Sequence, residues 1–163
     1  MTDKIVSQLA AQLIKDATAK GLTVATAESC TGGLIAAALT DVPGASAVFT
    51  HGFVTYANEA KRDLIGVPQA MLDAHGAVSA PVAQTMAEGA LRTSGADLAV
   101  SVTGIAGPGG GTPEKPVGLV YIATATKGSV PTVHRHLFPK GSRAFIRLLT
   151  VRAALRHLHI GLS

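Results

Sequence analysis

The sequence predicts an α/β fold, a three-layer α/β/α domain with a mixed β-sheet, and three observations support this prediction. Apolar, β-branched runs at 22–25 and 98–103 are typical of buried strands. Apolar residues recur at helical spacing over 5–17. The strand patterns at 118–125 and 130–138 are joined by a short hairpin connection and therefore pair antiparallel, whereas helices separate the earlier strands. This combination indicates a mixed sheet covered by helices.

Capping and turn residues set the bounds of the predicted elements. Thr2 or Asp3 can cap the first helix, and Gly21 can end it. Asn58 can cap a short helix, and Ser79 can cap a longer one that has a proline in its first turn. In chain order, the predicted elements are helix 5–17, strand 22–25, helix 34–39, strand 47–56, helix 59–65, helix 68–74, helix 79–93, strand 98–103, strand 118–125, strand 130–138 and helix 142–159.

The last predicted helix mixes apolar and basic residues. Arg152 and Arg156 are predicted to form a solvated basic face. Arg143 lies in the first turn, where the helix dipole disfavours a cation, so we predict that it pairs with an anion. The residues predicted to be buried are Phe145, Leu148, Leu149, Leu155 and Leu158.

Length and composition bound the classes of function. With 163 residues, 47% of them apolar, the chain is predicted to form one domain over 1–163. Its net charge of +4 favours an anionic small molecule as a ligand. The basic residues are scattered and there is no tryptophan, which argues against nucleic-acid binding. Because only 15% of the residues are charged, we expect part of the surface to be buried in a homodimer.

The cysteine count and the hydropathy pattern indicate the cellular compartment of the protein. Cys30 is the only cysteine, which excludes an intramolecular disulfide and a cysteine-based zinc site. No apolar run approaches the ~20 residues that span a bilayer. The first residues are amphipathic and include an acid, unlike a signal peptide. We therefore predict a cytoplasmic protein that does not bind membranes.

The stretch 25–33 joins a buried strand to a buried helix and concentrates polar side chains. It contains Glu28, Ser29, Cys30 and Thr31, followed by two glycines. A turn of this kind aims free backbone N–H groups and a partial positive charge at whatever precedes the helix. We interpret Ser29 as a candidate nucleophile beside donors for an oxyanion. A simple N-cap would account for one hydroxyl but not for the whole cluster.

A serine nucleophile needs a base, and the sequence shows neither a Ser/His/Asp pattern nor a Gly-x-Ser-x-Gly motif. Lys61 lies about one turn into the helix that Asn58 can cap, where the dipole and partial burial both lower the pKa of an amine. A neutral Lys61 could take the proton of Ser29. The hydroxyl of Tyr56, at the end of the preceding strand, could relay a proton. His51 and His75 are alternative bases.

The segment 104–116 is too rich in glycine and proline to be regular. A loop of this length in a compact domain is often functional. Gly104 and Gly107 follow directly on the strand pattern at 98–103, so they are better placed to meet a ligand than Gly109, Gly110 and Gly111. We predict that this strand end lines a binding site.

Four segments together resemble the CinA C-terminal domain family, in order and with close spacing over nearly the whole chain. They are Thr26-Ala27-Glu28-Ser29-Cys30-Thr31-Gly32-Gly33, Gly52-Phe53-Val54-Thr55-Tyr56-Ala57-Asn58-Glu59-Ala60-Lys61, His75-Gly76-Ala77-Val78-Ser79 and Val102-Thr103-Gly104-Ile105-Ala106-Gly107-Pro108, and Lys115-Pro116-Val117-Gly118 extends the match. Members of this family are nicotinamide-nucleotide amidohydrolases, which convert nicotinamide mononucleotide to nicotinate mononucleotide and ammonia. The match covers the given sequence without the partner domain of longer members, so we expect a stand-alone member of the family.

The resemblance implies a role for each matching residue. Ser29 is the implied nucleophile and Lys61 the implied base, with Tyr56 assisting proton transfer. Arg143 is the implied partner of the substrate phosphate, although Ser142 stands where the family often has an acidic residue. No metal or redox cofactor is implied. The implied substrate-binding residues are Thr31, Gly32, Gly33, Thr103, Gly104, Gly107 and Arg143.

Two alternatives differ from this interpretation. The first is an amidase in which Cys30 is the nucleophile, because a thiol at a helix N-terminus can be activated. The second is a non-catalytic nucleotide-binding module that regulates a partner. Such a module would keep the glycine-rich turns and Arg143 without turning over a substrate.

Overall fold

A computed structural model describes residues 3–163 and contains five strands and six helices. The strands are β1 (Val24–Glu28), β2 (Phe49–Val54), β3 (Leu98–Gly104), β4 (Leu119–Thr126) and β5 (Thr132–Leu137). The helices are α1 (Lys4–Lys20), α2 (Leu34–Thr40), α3 (Asn58–Ile65), α4 (Gln69–His75), α5 (Ala80–Ser94) and α6 (Arg143–Gly161). Thr2, one of the two predicted caps of the first helix, lies outside the described residues.

The five strands form one mixed sheet in the order β2-β1-β3-β4-β5. β1 lies parallel to β2 and β3, while β4 is antiparallel to both β3 and β5. The mixed sheet and the antiparallel hairpin at its edge confirm the fold class predicted from the sequence. The carboxyl ends of β1, β2 and β3 consequently meet at the same edge of the sheet, where ligands collect in sheets of this kind.

Helices cover both faces of the sheet and make the three layers. On one face, α1, α2 and α6 pack on apolar residues of β1, β3 and β4. On the other face, α3, α4 and α5 pack on small residues of β1, β3 and β4. β1 is buried along its whole length, which agrees with its position beside the centre of the sheet. The two faces therefore hold the end of β1 and the turn that follows it in a fixed place.

The structure confirms the predicted helix caps at Asp3, Gly21 and Ser79, but not the one at Asn58. Asp3 accepts a hydrogen bond from the N–H of Val6 at 2.9 Å and caps α1, and Gly21 ends that helix with a φ of 67°. Ser79 and Ser142 cap α5 and α6 in the same way. The prediction for Asn58 was wrong: it is the first residue of α3, and Ala57 precedes the helix without a side-chain cap.

Three further predictions need correction. The strand predicted at 22–25 runs instead over Val24–Glu28, because the β1 ladder with β3 continues to the turn. Phe145 is 40% exposed, since it lies on the outer side of the first turn of α6 beside Gly141. Arg152 is not part of a freely solvated face, because its guanidinium forms an ion pair with Asp3 at 2.6 Å.

Candidate active site

A cavity of about 290 Å³ opens at the shared carboxyl edge of β1 and β3. Ser29 enters it directly after β1, and Thr103 and Gly104 enter it at the end of β3. Tyr56 and Lys61 line it from the segment that follows β2. The topology therefore brings together residues that are far apart in the sequence.

Ser29 and Lys61 are in direct contact in this cavity. The Nζ atom of Lys61 lies 3.1 Å from the Oγ atom of Ser29. Lys61 is 1% exposed, so its amine is removed from bulk water. This distance is within the range in which a base can take a proton from a hydroxyl.

Two backbone carbonyls fix the orientation of the Lys61 amine. Nζ donates hydrogen bonds to the carbonyl of Thr55 at 2.8 Å and to that of Tyr56 at 3.2 Å. A neutral amine has two N–H bonds and one lone pair, so two carbonyl acceptors use both N–H bonds. In this neutral form the lone pair faces Ser29 Oγ and can accept its proton, whereas the ammonium form donates its third N–H to that oxygen. Sequence patterns give no sign of this arrangement, because the acceptors are backbone atoms.

Burial lowers the pKa of the Lys61 amine below its ordinary value of 10.5. No ion pair of Lys61 with a carboxylate is found among residues 3–163. Removal from water therefore disfavours the ammonium form without an opposite charge to restore it. The neutral form, which can act as a base, gains population at a given pH.

Glu28 is also buried, at 1% exposed, but its role is structural. Its carboxylate accepts hydrogen bonds from Thr31 Oγ1 at 2.7 Å, from the N–H of Ile35 at 2.8 Å and from the N–H of Ala36 at 3.0 Å. Two of these donors are first-turn N–H groups of α2, which Gly33 leaves without a side-chain cap. Glu28 thus occupies helix donors that the sequence had suggested for a ligand.

That Thr31, Gly32 and Gly33 contact the ligand stays a prediction, which their positions in the structure do not favour. Thr31 is fully buried and its hydroxyl donates to Glu28. The N–H of Gly32 donates to the carbonyl of Ser29 at 3.0 Å. None of the three residues lines the cavity. They shape the turn that presents Ser29, and both glycines adopt the positive φ that the turn needs, 58° and 102°.

Arg143 joins two sides of the cavity rim. Its Nη2 donates to the hydroxyl of Tyr56 at 2.9 Å, and its Nη1 donates to the carbonyl of Gly107 at 2.8 Å. Tyr56 is 59% exposed, and among residues 3–163 its hydroxyl forms no direct hydrogen bond with Ser29 or Lys61. The structure therefore places Arg143 at the cavity, and it places the Tyr56 hydroxyl on the rim beside it.

Thr103, Gly104 and Gly107 line the cavity, as the sequence suggested for this strand end. The hydroxyl of Thr103 donates to the carbonyl of Ala77 at 2.8 Å, which fixes the segment before α5 against β3. A Cβ on Gly104 would lie 2.5 Å from a methyl group of Val120, so a side chain would not fit there without a shift. Gly109 and Gly110 line the cavity too, although the sequence favoured Gly104 and Gly107 over them. Ala77 and Val78 also line it, and only the family resemblance had included them.

The alternative nucleophile is poorly activated, and the alternative bases lie outside the cavity. Burial raises the pKa of the Cys30 thiol to about 11, so the thiolate is scarce at neutral pH. His51 lies exposed on β2 and stacks on Phe53. His75 ends α4, where its carbonyl accepts a hydrogen bond from Lys115. Neither histidine lines the cavity that contains Ser29.

Two general properties of residues 3–163 bear on the chemistry. This part of the chain contains no cluster of three or more His, Cys, Asp or Glu side chains able to hold a metal ion. None of its helices combines the length and the apolar character required to cross a membrane.

Comparisons with known proteins match nearly the whole chain. The family model described as the CinA C-terminal domain matches residues 6–162. The nicotinamide-nucleotide amidohydrolase PncC of Escherichia coli K12 is 50% identical over 158 residues, which are 97% of this chain and 95% of that protein. A CinA-like protein of Akkermansia muciniphila is 58% identical over 132 residues, which are 81% of this chain.

The lengths of the relatives differ. This chain spans only about a third of the length of the first curated relatives that it matches, for example 32% of the Akkermansia protein. Among solved structures, the competence/damage inducible protein CihA of Agrobacterium tumefaciens superposes with a TM-score of 0.96. It is 52% identical, and the match covers 99% of this chain and 98% of that one.

Proposed function

The chain belongs to the CinA C-terminal domain family, and from that premise we propose that it hydrolyses the carboxamide of nicotinamide mononucleotide to nicotinate mononucleotide and ammonia. The match to the E. coli amidohydrolase over nearly the full length of both proteins supports this substrate. The contact between a buried amine and a hydroxyl at 3.1 Å supports the reaction class, because acyl transfer needs a nucleophile and an adjacent base.

In the proposed first half-reaction, Ser29 Oγ attacks the carboxamide carbon while its proton passes to the lone pair of Lys61 Nζ. The resulting tetrahedral intermediate breaks its C–N bond, and the Lys61 ammonium returns the proton to the departing nitrogen. Ammonia leaves and an ester to Ser29 remains. In the second half-reaction, Lys61 takes a proton from water, which attacks the ester, and the same proton then restores the Ser29 hydroxyl.

The observation that carries this mechanism is the pair of carbonyls that hold the Lys61 amine. Because Thr55 and Tyr56 accept its two N–H bonds, the neutral amine can only present its lone pair to Ser29. A surface lysine would instead be a hydrated ammonium with no fixed lone pair. The geometry therefore supports a base, rather than an ion-pair partner.

The positions of the other cavity residues suggest roles in binding the nucleotide. Arg143 uses two of its five N–H donors on protein atoms, so donors remain for a phosphate. We propose that it binds the phosphate at the rim, while Thr103, Gly104 and Gly107 contact the body of the nucleotide. The hydroxyl of Tyr56, next to Arg143, is proposed to assist proton transfer once the substrate has closed the site.

The test is incubation of the purified protein with nicotinamide mononucleotide, with ammonia and nicotinate mononucleotide measured separately. We expect equal amounts of both products from the wild type and none above background from Ser29→Ala. Binding of the nucleotide without acid product would instead favour the non-catalytic module. The single-domain extent, the homodimer and the cytoplasmic location stay predictions from the sequence.

A further inference from the structure

Arg147, on the second turn of α6, contacts the turn that carries Ser29. Its Nε donates to the carbonyl of Cys30 at 3.1 Å, and its Nη2 donates to the carbonyl of Thr31 at 3.1 Å. The two acceptors are the residues that directly follow Ser29. One planar guanidinium therefore holds two successive carbonyls, a contact that matches its rigid fork.

Local contacts also hold parts of the turn: the Thr31 hydroxyl donates to Glu28, the N–H of Gly32 to the carbonyl of Ser29 and the N–H of Leu34 to the carbonyl of Thr31. The N–H of Ser29 donates to the carbonyl of Val102, which anchors the turn to β3. Beyond it, Gly32 and Gly33 both have positive φ, and glycine loses more conformational freedom on folding than any other residue. The only hydrogen bond to the Cys30 carbonyl within residues 3–163 comes from Arg147. The residue directly after Ser29 is thus held through its carbonyl by a side chain more than a hundred residues away.

We propose that Arg147 is a positioning residue of this site, which keeps Ser29 Oγ within reach of the Lys61 lone pair. This inference rests on the proposed function only for the identity of the substrate, because the contacts of Arg147 are independent of it. Lys61 is fixed independently by the carbonyls of Thr55 and Tyr56. The 3.1 Å contact therefore depends on how well the Ser29 side is held, and a displacement of about 1 Å can cost about 100-fold in rate.

Arg147 does not act by touching the substrate. It is absent from the lining of the Ser29 cavity and lies instead on a groove of about 530 Å³ between α1, α2 and α6. It also differs from Arg143, which belongs to the cavity rim. Loss of Arg147 should consequently lower kcat and the reactivity of Ser29 while KM stays nearly constant.

The experiment compares Arg147→Gln and Arg147→Lys with Arg156→Gln in the full chain. Arg156 is an exposed arginine on the same helix and controls for the loss of a positive charge. Two rates are measured: turnover of nicotinamide mononucleotide, and covalent labelling of Ser29 by a small fluorophosphonate, which needs no nucleotide. For Arg147→Gln we expect both rates to fall about 10- to 100-fold with KM changed less than about twofold. Arg147→Lys should recover only part of the two rates, because an ammonium cannot hold both carbonyls as the planar guanidinium does.

Guanidinium rescue separates positioning from a general loss of folding. Added guanidinium ion should raise the labelling rate of Arg147→Ala and should leave Arg156→Gln unchanged. Labelling of Arg147→Gln at the wild-type rate, or a fall no larger than that of Arg156→Gln, would overturn the inference. If the wild type is labelled at Ser29 but releases no ammonia from the nucleotide, the proposed substrate is wrong while the labelling ratio still decides the role of Arg147. A wild type that is not labelled would contradict both.

Discussion

Glu28 and Lys61 are both 1% exposed, yet the structure treats these two buried ionisable side chains in opposite ways. The oxygens of Glu28 accept three hydrogen bonds, two of them from first-turn N–H groups of α2. The amine of Lys61 contacts two carbonyls and a hydroxyl, and among residues 3–163 it forms no ion pair with a carboxylate. Burial therefore lowers the pKa of Lys61.

The difference shows how a buried ionisable group comes to serve either structure or chemistry. A group whose hydrogen-bonding capacity matches its surroundings fixes the local fold. A group whose charged form is disfavoured by its surroundings takes up the neutral form, which can accept a proton, more readily than it would in water. Both side chains contact the turn 28–31: Glu28 binds Thr31, and Lys61 contacts Ser29. Glu28 therefore stabilises the turn that carries the hydroxyl facing Lys61.

The largest effect is expected from Lys61→Met, which removes the amine and keeps a similar length of apolar chain. We expect kcat/KM to fall by about 10³-fold or more, because the base for Ser29 is lost. The melting temperature at pH 7 should change little, because removal of the buried amine is offset by the loss of the donor to the carbonyls of Thr55 and Tyr56. The ammonia assay measures the rate and calorimetry measures the melting temperature, with the exposed Lys15→Met as the control. Activity within tenfold of the wild type would contradict this view of Lys61.

The pH dependence of the rate tests the same residue without a mutation. Only the neutral amine can accept the proton of Ser29, so kcat/KM should rise with pH until Lys61 is fully deprotonated. Because burial lowers the pKa of Lys61 below 10.5, the midpoint of this rise should lie below that value. Below the midpoint, each unit of pH should cost about tenfold in rate. A rate that falls as the solution becomes more alkaline, in the range where the fold is intact, would assign the base to another group.

Glu28→Gln should have the next largest effect, and it should act on stability. The amide keeps one acceptor oxygen and brings an NH₂ group, which faces an N–H donor of α2 in place of an acceptor. We expect a loss of about 3 kcal/mol in the free energy of unfolding, or roughly 6–12 °C in melting temperature. Thermal unfolding measures this loss against the exposed Glu114→Gln. An equal, small change in both variants would show that Glu28 does not cap α2.

How far the sequence predicts this arrangement depends on the kind of signal. Gly21 and Ser79 act through local backbone and capping rules, so both helix bounds were predictable. Lys61 was found because its helix position disfavours a cation. The carbonyls of Thr55 and Tyr56 could not be found, because every residue has a carbonyl and only the fold decides which ones converge.

Other errors came from elements whose rotation or partner is set by the tertiary structure. Helix α6 carries apolar residues on several faces, so the sequence did not show that Phe145 would face outward. The ion pair of Arg152 with Asp3 joins two ends of the chain, and nothing near either residue indicates it. The hydrogen bond from the Thr31 hydroxyl to Glu28 forms only because the turn folds back, so the sequence did not show it either.

His157 extends the comparison to a third ionisable group, whose charged form, like that of Lys61, is disfavoured by its surroundings. Its ring stacks on His134 at 4.1 Å and its Nε2 lies 2.9 Å from that of His136. Burial and these neighbours lower the pKa of His157 from 6.5 to about 4. The unfolded chain therefore binds more protons between these values, so the free energy of unfolding should fall as the pH drops from about 6.5 to about 4. His157→Gln should reduce this loss of stability at low pH, whereas the exposed His51→Gln should not. Unfolding measured from pH 6.5 to pH 4 checks this, and an unchanged pH dependence in His157→Gln would contradict the assignment to His157.

The smallest effect is expected from Cys30→Ala, although Cys30 adjoins Ser29 and lines the same cavity. Its thiol has a pKa of about 11, so fewer than about one molecule in a thousand carries the thiolate at pH 7. Proximity to the substrate therefore does not make it a nucleophile, just as burial alone does not make Glu28 a base. We expect Cys30→Ala to keep kcat/KM within about threefold of the wild type, while Ser29→Ala is inactive. The reverse pattern in the ammonia assay would move the nucleophile to the thiol, and the contact between Ser29 and Lys61 would then be structural.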